Sequence, residues 1–256
     1  MKYPVWVIAR YSLLEAVRSH IFLLVLPGVI ILFGISQFIG ELAVTESREI
    51  QAAITAYIIR VLAVIITCLF IVLSCLREFN EKTVDIIFAL PVPRYVYYLG
   101  KLFGFSGLVF IVAVLFSLPL FLYADMMPVV YWSISLVCEL FIMTSLSLLF
   151  LLTLGNATVT LSLIFAFYVL SRTINTIQLI AASPVIEATS FSQHLITGII
   201  DVIAFLLPDF SRFAQTAWLM TGSVDINEIS FVFLQTTVYV VLLSAAALFD
   251  LYRKEF

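Results

Sequence analysis

Residues 54–76 read ITAYIIRVLAVIITCLFIVLSCL, an apolar run of 23 residues whose one charge is Arg60. As a helix such a run spans about 35 Å, enough to cross a hydrocarbon core of about 30 Å. In lipid the backbone finds no water to bond, so the run is expected to be helical. Working outward from it, five further runs qualify as spans: 21–40, 102–123, 131–153, 157–181 and 229–249. Composition agrees, with 63% hydrophobic and 11% charged residues, against about 25% charged in a soluble domain. Mean hydropathy is +1.18. So much apolar surface needs a bilayer as its solvent. A net charge of −3 gives no basis for nucleic-acid binding. Tyr57, Tyr97, Tyr98, Tyr123, Tyr131, Trp132 and Tyr252 lie near run ends, as interfacial aromatics do.

The 13 basic residues set the expected orientation. Lys2, Arg10, Arg18, Arg77, Lys82, Arg94, Lys101, Arg253 and Lys254, nine in all, fall on one side. Arg48 and Arg212 fall on the other, and Arg60 and Arg172 lie within spans. This bias puts both termini in the cytoplasm and requires an even number of spans. It also decides the reading of 195–207, which is apolar but only 13 residues long, interrupted by Asp201 and ended by Pro208 and Asp209. Thirteen helical residues reach about 20 Å, too short to span. The segment is expected to be a re-entrant or interfacial outer helix, followed by a second short helix near 213–220. No cleavable leader is expected, because the first long apolar run begins only near Ile21.

Segment 4–20 differs from the spans. On a helical wheel Trp6, Ala9, Leu13, Ala16 and Val17 share one face, with Ser12, Glu15, Arg18 and Ser19 opposite. This predicts an amphipathic helix in the cytoplasmic interface, anchored by Trp6. The expected fold is thus an all-α polytopic membrane protein forming a single domain over 1–256. It has an interfacial helix over 1–20, six transmembrane helices, an inner loop at 77–101, and re-entrant outer helices in the 182–228 loop between spans five and six.

The inner loop reads REFNEKTVDIIFALPVPRYVYYLGK over 77–101. Glu78, Glu81, Lys82 and Asp85 recur at helical spacing, and Glu78 and Lys82 form an i,i+4 pair. Phe79, Ile86, Ile87 and Leu90 supply apolar surface, and Pro91 and Pro93 force a turn. A plain connector needs neither this length nor an apolar face.

An acidic residue, then Glu81-Lys82-Thr83, a short apolar helix, Leu90-Pro91-Val92-Pro93-Arg94, and Tyr97-x-x-Gly100-Lys101 together resemble ABC-2 type transporter permeases. The order of parts is similar along the whole chain: interfacial elbow helix, six spans, and re-entrant helices before the last. The nearest branch resembled is that of permeases linked to multicopper-enzyme maturation, such as the nitrous oxide reductase maturation type. The resemblance implies a bacterial inner-membrane permease that pairs with a second permease, identical or homologous, and docks two copies of a separate ATPase. The docking surface would be Glu78, Glu81, Lys82, Thr83, Asp85 and Arg94, on a coupling helix. The chain itself would be no enzyme and hold no cofactor, with ATP and Mg bound by the ATPase. Its own residues agree, since Gly100-Lys101 has neither the following Ser or Thr nor the earlier Gly of a P-loop.

The function expected is an ATP-driven exporter subunit. Two alternatives stand beside it: a subunit that passes ATP-driven motion to a periplasmic partner without transport, and a membrane scaffold outside this family. Polar residues are few in the spans, which disfavours a small hydrophilic cargo.

Charges within spans are costly and therefore informative. Arg60, Glu139 and Arg172 fall on three spans at about 9–14 Å below the outer surface, counted at 1.5 Å per residue. Three readings fit: arginines that snorkel separately over a protonated Glu139, a buried Arg–Glu–Arg network bracing an outer gate, or a substrate site. Other signals are weak. Gly104-Phe105-Ser106-Gly107 looks like a serine-protease motif, but His194 is expected a membrane thickness away and a serine nucleophile needs a base in reach. Small residues for close helix packing explain it better. Met126, Met127 and His194 are too scattered for a copper site, and no metal site is expected. Cys68, Cys75 and Cys138 lie in apolar runs without CxxC spacing and read as small buried hydrophobes.

Overall fold

The computed structural model describes residues 4–18, 28, 30, 31, 34, 35, 37, 38, 47–82, 93–182 and 191–253. These residues are helical and contain no strand. The helices are α1 (Pro4–Arg18), α2 (Ser47–Asn80), α3 (Arg94–Ser117), α4 (Met126–Leu154), α5 (Ala157–Ala182), α6 (Phe191–Leu206), α7 (Ala217–Thr221) and α8 (Ile226–Arg253). Helices α2, α3, α4, α5 and α8 are long and apolar enough to cross a membrane. Five of the six expected spans therefore coincide with observed helices. The first, 21–40, lies largely outside the described residues, although those described within it are helical.

Local chemistry sets the helix ends. Pro119 sits in the first turn of a 3-10 segment, Leu118–Leu122, that closes α3. Helix α4 stops at Gly155, whose φ of 66° lets its N–H reach the Leu151 carbonyl. Asn156 then accepts from the Thr158 N–H at 3.0 Å and starts α5. A two-residue turn thus joins two spans. Helix α4 is the centre of the bundle and packs on α2, α3, α5 and α8. Its most apolar stretch is 72% buried, against 17% for α8, which lies on the periphery. The core gathers Ile59, Cys68, Phe105, Val109, Phe116, Trp132, Leu136 and Met143.

Helix α1 lies along α3. The approach depends on glycines: a Cβ at Gly104 would come within 2.6 Å of Ser12 Cβ and 2.8 Å of the Ala9 carbonyl oxygen. At Gly100 it would meet Ile8 at 2.7 Å. The face that packs on the bundle cuts across the two faces of the wheel. The buried face of α1 is Ala9, Ser12 and Ala16, the smallest side chains, while Trp6, Tyr11 and Val17 are exposed. Close approach selects for size rather than polarity, so the helix buries its small residues and turns its large ones outward. Ser106 donates to its own helix at the Phe103 carbonyl, 2.7 Å away.

The inner segment also departs from expectation. Helix α2 runs to Asn80, and Glu81 and Lys82 form a turn. Lys82 has a φ of 55°, a left-handed backbone that ends the helix. Glu78 therefore does not share a continuous helix with Lys82. Thr83 and Asp85 lie outside the described residues. After α6, segment 207–219 turns into the bundle and buries Leu207, Phe210, Phe213, Ala214, Trp218 and Leu219.

Candidate functional site

Two polar clusters are built into this apolar bundle, one around Arg60 in the first half of α2 and one near its end at Asn80. The first surrounds segment 207–214. Pro208 cannot donate a backbone bond, and the chain there forms only a single 3-10 turn, Phe210–Arg212. Asp209 organises that turn, accepting from the Ser211 N–H at 3.2 Å and Oγ at 2.5 Å. Asn175 of α5 donates to Asp209 at 2.9 Å and to Ser211 at 2.8 Å. Arg212 closes an ion pair with Asp209 at 3.0 Å.

Non-helical backbone inside an apolar bundle leaves carbonyls that must find donors. Here arginines supply them. Arg60 Nη1 of α2 donates to the Ala214 carbonyl at 2.8 Å and lies 3.4 Å from that of Phe213. Arg172 Nη1 of α5 donates to the carbonyls of Phe210 and Phe213. From α4, Trp132 Nε1 donates to the Ala214 carbonyl at 2.9 Å, and Ser135 Oγ accepts the Ala214 N–H at 2.9 Å. Ala214 itself has a φ of 45° and no exposure. Three spans thereby hold one short loop.

Of the residues singled out from sequence, Arg60 and Arg172 converge on the Phe213 carbonyl. Glu139 is fully buried and electrostatically coupled to both arginines. It is not their partner, however, since neither carboxylate oxygen has a hydrogen bond and no ion pair joins it to either. Tyr168 lies beside it without meeting hydrogen-bond geometry. Ser135 and Asn175 were not singled out, and Trp132 and Asp209 were read only as an interfacial aromatic and as the end of an apolar segment. Their signal was present in the spacing: Trp132, Ser135 and Glu139 lie three and four apart on one helical face, as do Arg172 and Asn175.

The second cluster joins α1, α2 and α3 near the turn at Glu81. Lys101, only 3% exposed, pairs with the Glu78 carboxylate, which also accepts from Tyr97 at 3.1 Å. Glu15 of α1 accepts from Ser74 at 2.8 Å. The expected Glu78–Lys82 pair is replaced, because the buried Lys101 ammonium needs a counter-charge that exposed Lys82 does not. Arg94 Nη1 donates to the Leu251 and Tyr252 carbonyls at 2.5 and 3.2 Å, serving the orphan carbonyls at the end of α8. Glu81 and Lys82 are exposed.

The free cysteines Cys68, Cys75 and Cys138 are all buried. Among the described residues no group of three His, Cys, Asp or Glu side chains comes together. Five long apolar helices with buried charge define a helical membrane-embedded protein. No protein-family model matches this sequence, and no curated protein does either.

Proposed function

We propose that this chain is the permease subunit of an ATP-driven ABC exporter, docking a separate ATPase through residues 77–101 on the cytoplasmic side. The observation that carries this reading is the continuity of α2. It leads from exposed Glu81 and Lys82, through the Glu78–Lys101 pair, to Arg60 and the loop at 207–214. A push on the turn would move one rigid helix, and that helix holds the opposite end of the bundle. Arg94 links the same region to the end of α8. Segment 207–219, turned into the bundle, suits the re-entrant outer element of such a permease. The exposed apolar side chains of α8, Leu234, Val241 and Phe249 among them, suit lipid or a second permease.

On this reading the chain binds no nucleotide, and ATP and Mg belong to the partner. Glu81 and Lys82, with Thr83 and Asp85, form the docking surface, while Glu78 and Arg94 brace it from within. A cavity of about 480 Å³ between α3, α4 and α8, walled by Phe110, Val137, Phe141 and Phe233, favours a lipid-like cargo over a hydrophilic one. Transmission of motion without cargo uses the same parts.

The test is a photo-crosslinker at Glu81 in native membranes. The expected product joins this chain to a protein with Walker motifs, and Glu81→Lys with Asp85→Lys abolishes it while the chain still inserts. A permease that crosslinks to no ATPase, or whose ATPase turnover ignores the double reversal, overturns the docking role.

A further inference from the structure

Arg60 and Arg172 share more than the 207–214 loop. Both line a cavity of about 240 Å³ between α2 and α5. Val61, Ile65, Phe165 and Val169 make one side of it apolar, while Tyr57, whose ring lies 5.3 Å from the Arg60 guanidinium carbon, Tyr168 and Thr173 complete the lining. It opens on the outside of the bundle beside Val169, which is 58% exposed. The shape is amphipathic: two guanidiniums at one place and a greasy slot leading away from them.

Charge is out of balance here. Each arginine directs its hydrogen bonds through Nη1, and all of them go to backbone carbonyls, which are dipoles and not counter-charges. Arg60 is 1% exposed, and its buried Nε has no partner. Asp209 is taken by Arg212, Asn175 and Ser211. Glu139 is the one remaining carboxylate coupled to the pair among the described residues, and it bonds to neither. Even if ionised, it leaves two cations facing one anion. Unpaired charge inside an apolar bundle is expensive, and bidentate guanidinium donors match the oxygens of phosphate or carboxylate.

We infer that this cavity binds an amphiphile with an anionic phosphate or carboxylate head, the head on Arg60 and Arg172 and the chain along Val61, Ile65, Phe165 and Val169. The anion completes the charge balance that the chain leaves open, using guanidinium nitrogens that the loop does not use. The inference is independent of whether an ATPase docks at the far end of α2.

The test uses the full chain in nanodiscs of phosphatidylcholine, titrated with radiolabelled dodecyl phosphate and corrected for empty discs. Saturable binding is expected, with a rise in the thermal midpoint. Dodecyltrimethylammonium should not compete. Inorganic phosphate should compete only weakly, because it lacks the chain; equal affinity for inorganic phosphate would overturn the amphiphile assignment in favour of a plain anion site. Arg172→Gln should weaken binding by about ten- to a hundredfold, the worth of one charge-assisted contact. Because Arg172 also holds the loop, Val169→Trp is the companion variant. It fills the slot from its exposed side and leaves both arginines in the sequence. It should abolish binding while the ligand-free midpoint stays as in the parent. Competition by the cationic amphiphile, or undiminished binding to the Val169→Trp protein, overturns the proposal.

Discussion

The two polar clusters along α2 solve the same problem differently. Near the Glu81 turn, a buried ammonium meets a carboxylate: Lys101 pairs with Glu78, and Tyr97 completes the acceptor's shell. In the other cluster the two guanidiniums donate hydrogen bonds only to backbone carbonyls, Arg60 also lies over the Tyr57 ring, and neither Glu139 carboxylate oxygen makes a hydrogen bond. The first cluster gives its buried cation a carboxylate partner. The second satisfies the backbone of a non-helical loop and leaves net positive charge behind. The difference follows from what each cluster holds. Two helices can be joined by one side-chain pair, but a loop with exposed carbonyls needs donors in excess, and only arginine carries five. A pair braces, whereas an excess of donors leaves capacity for something else.

The sharpest way to break this contrast is Glu78→Gln. It leaves Lys101 buried without its counter-charge, and should cost about 3–5 kcal/mol. The double change with Lys101→Gln should recover part of the loss. A denaturation cycle on the detergent-solubilised protein measures the coupling, and a coupling of zero would make the two clusters alike.

In the other cluster, Arg60→Gln removes charge-assisted bonds to the loop, and a loss of about 2–3 kcal/mol is expected. The loop should loosen locally, so trypsin should cut faster after Arg212, whose side chain is already 52% exposed. Unchanged cleavage would show that Trp132 and Ser135 suffice to hold it.

The attachment of α1 is tested by Gly104→Val. A branched side chain set against Ser12 and the Ala9 carbonyl must push α1 away, at about 1–3 kcal/mol. Trp6 fluorescence and protease protection of segment 4–18 report whether α1 stays in place.

The smallest effect is expected from Glu139→Gln, below about 1 kcal/mol, since no hydrogen bond to a charged group is broken. A loss as large as that for Glu78→Gln would mean that Glu139 is a true counter-ion, and the contrast between the two clusters would fail.

How much was legible beforehand differs from feature to feature. Runs such as 54–76 and 131–153 announced their helices, because a bilayer allows an apolar run little else. That Arg60, Glu139 and Arg172 share a depth followed from counting along three spans, but whether they meet did not. That the arginines would choose carbonyls over the carboxylate did not follow. Their acceptor, Ala214, lies 154 positions from Arg60. Nor did 4–20 reveal its buried face, since the wheel sorts residues by polarity, and the contact with Gly100 and Gly104 sorts them by size.

The sequence by itself determined a helical membrane protein, five of its long helices, and the presence of charges among them. These are local properties: hydropathy over about 20 residues decides whether a segment belongs in lipid. The tertiary structure alone decided partners. Glu78 takes Lys101 and not Lys82, Arg94 caps α8, and two arginines hold a loop while the Glu139 carboxylate makes no hydrogen bond. Hydrogen bonding and ion pairing depend on distances of a few ångströms between residues far apart in the chain, and those distances exist only once the helices have packed.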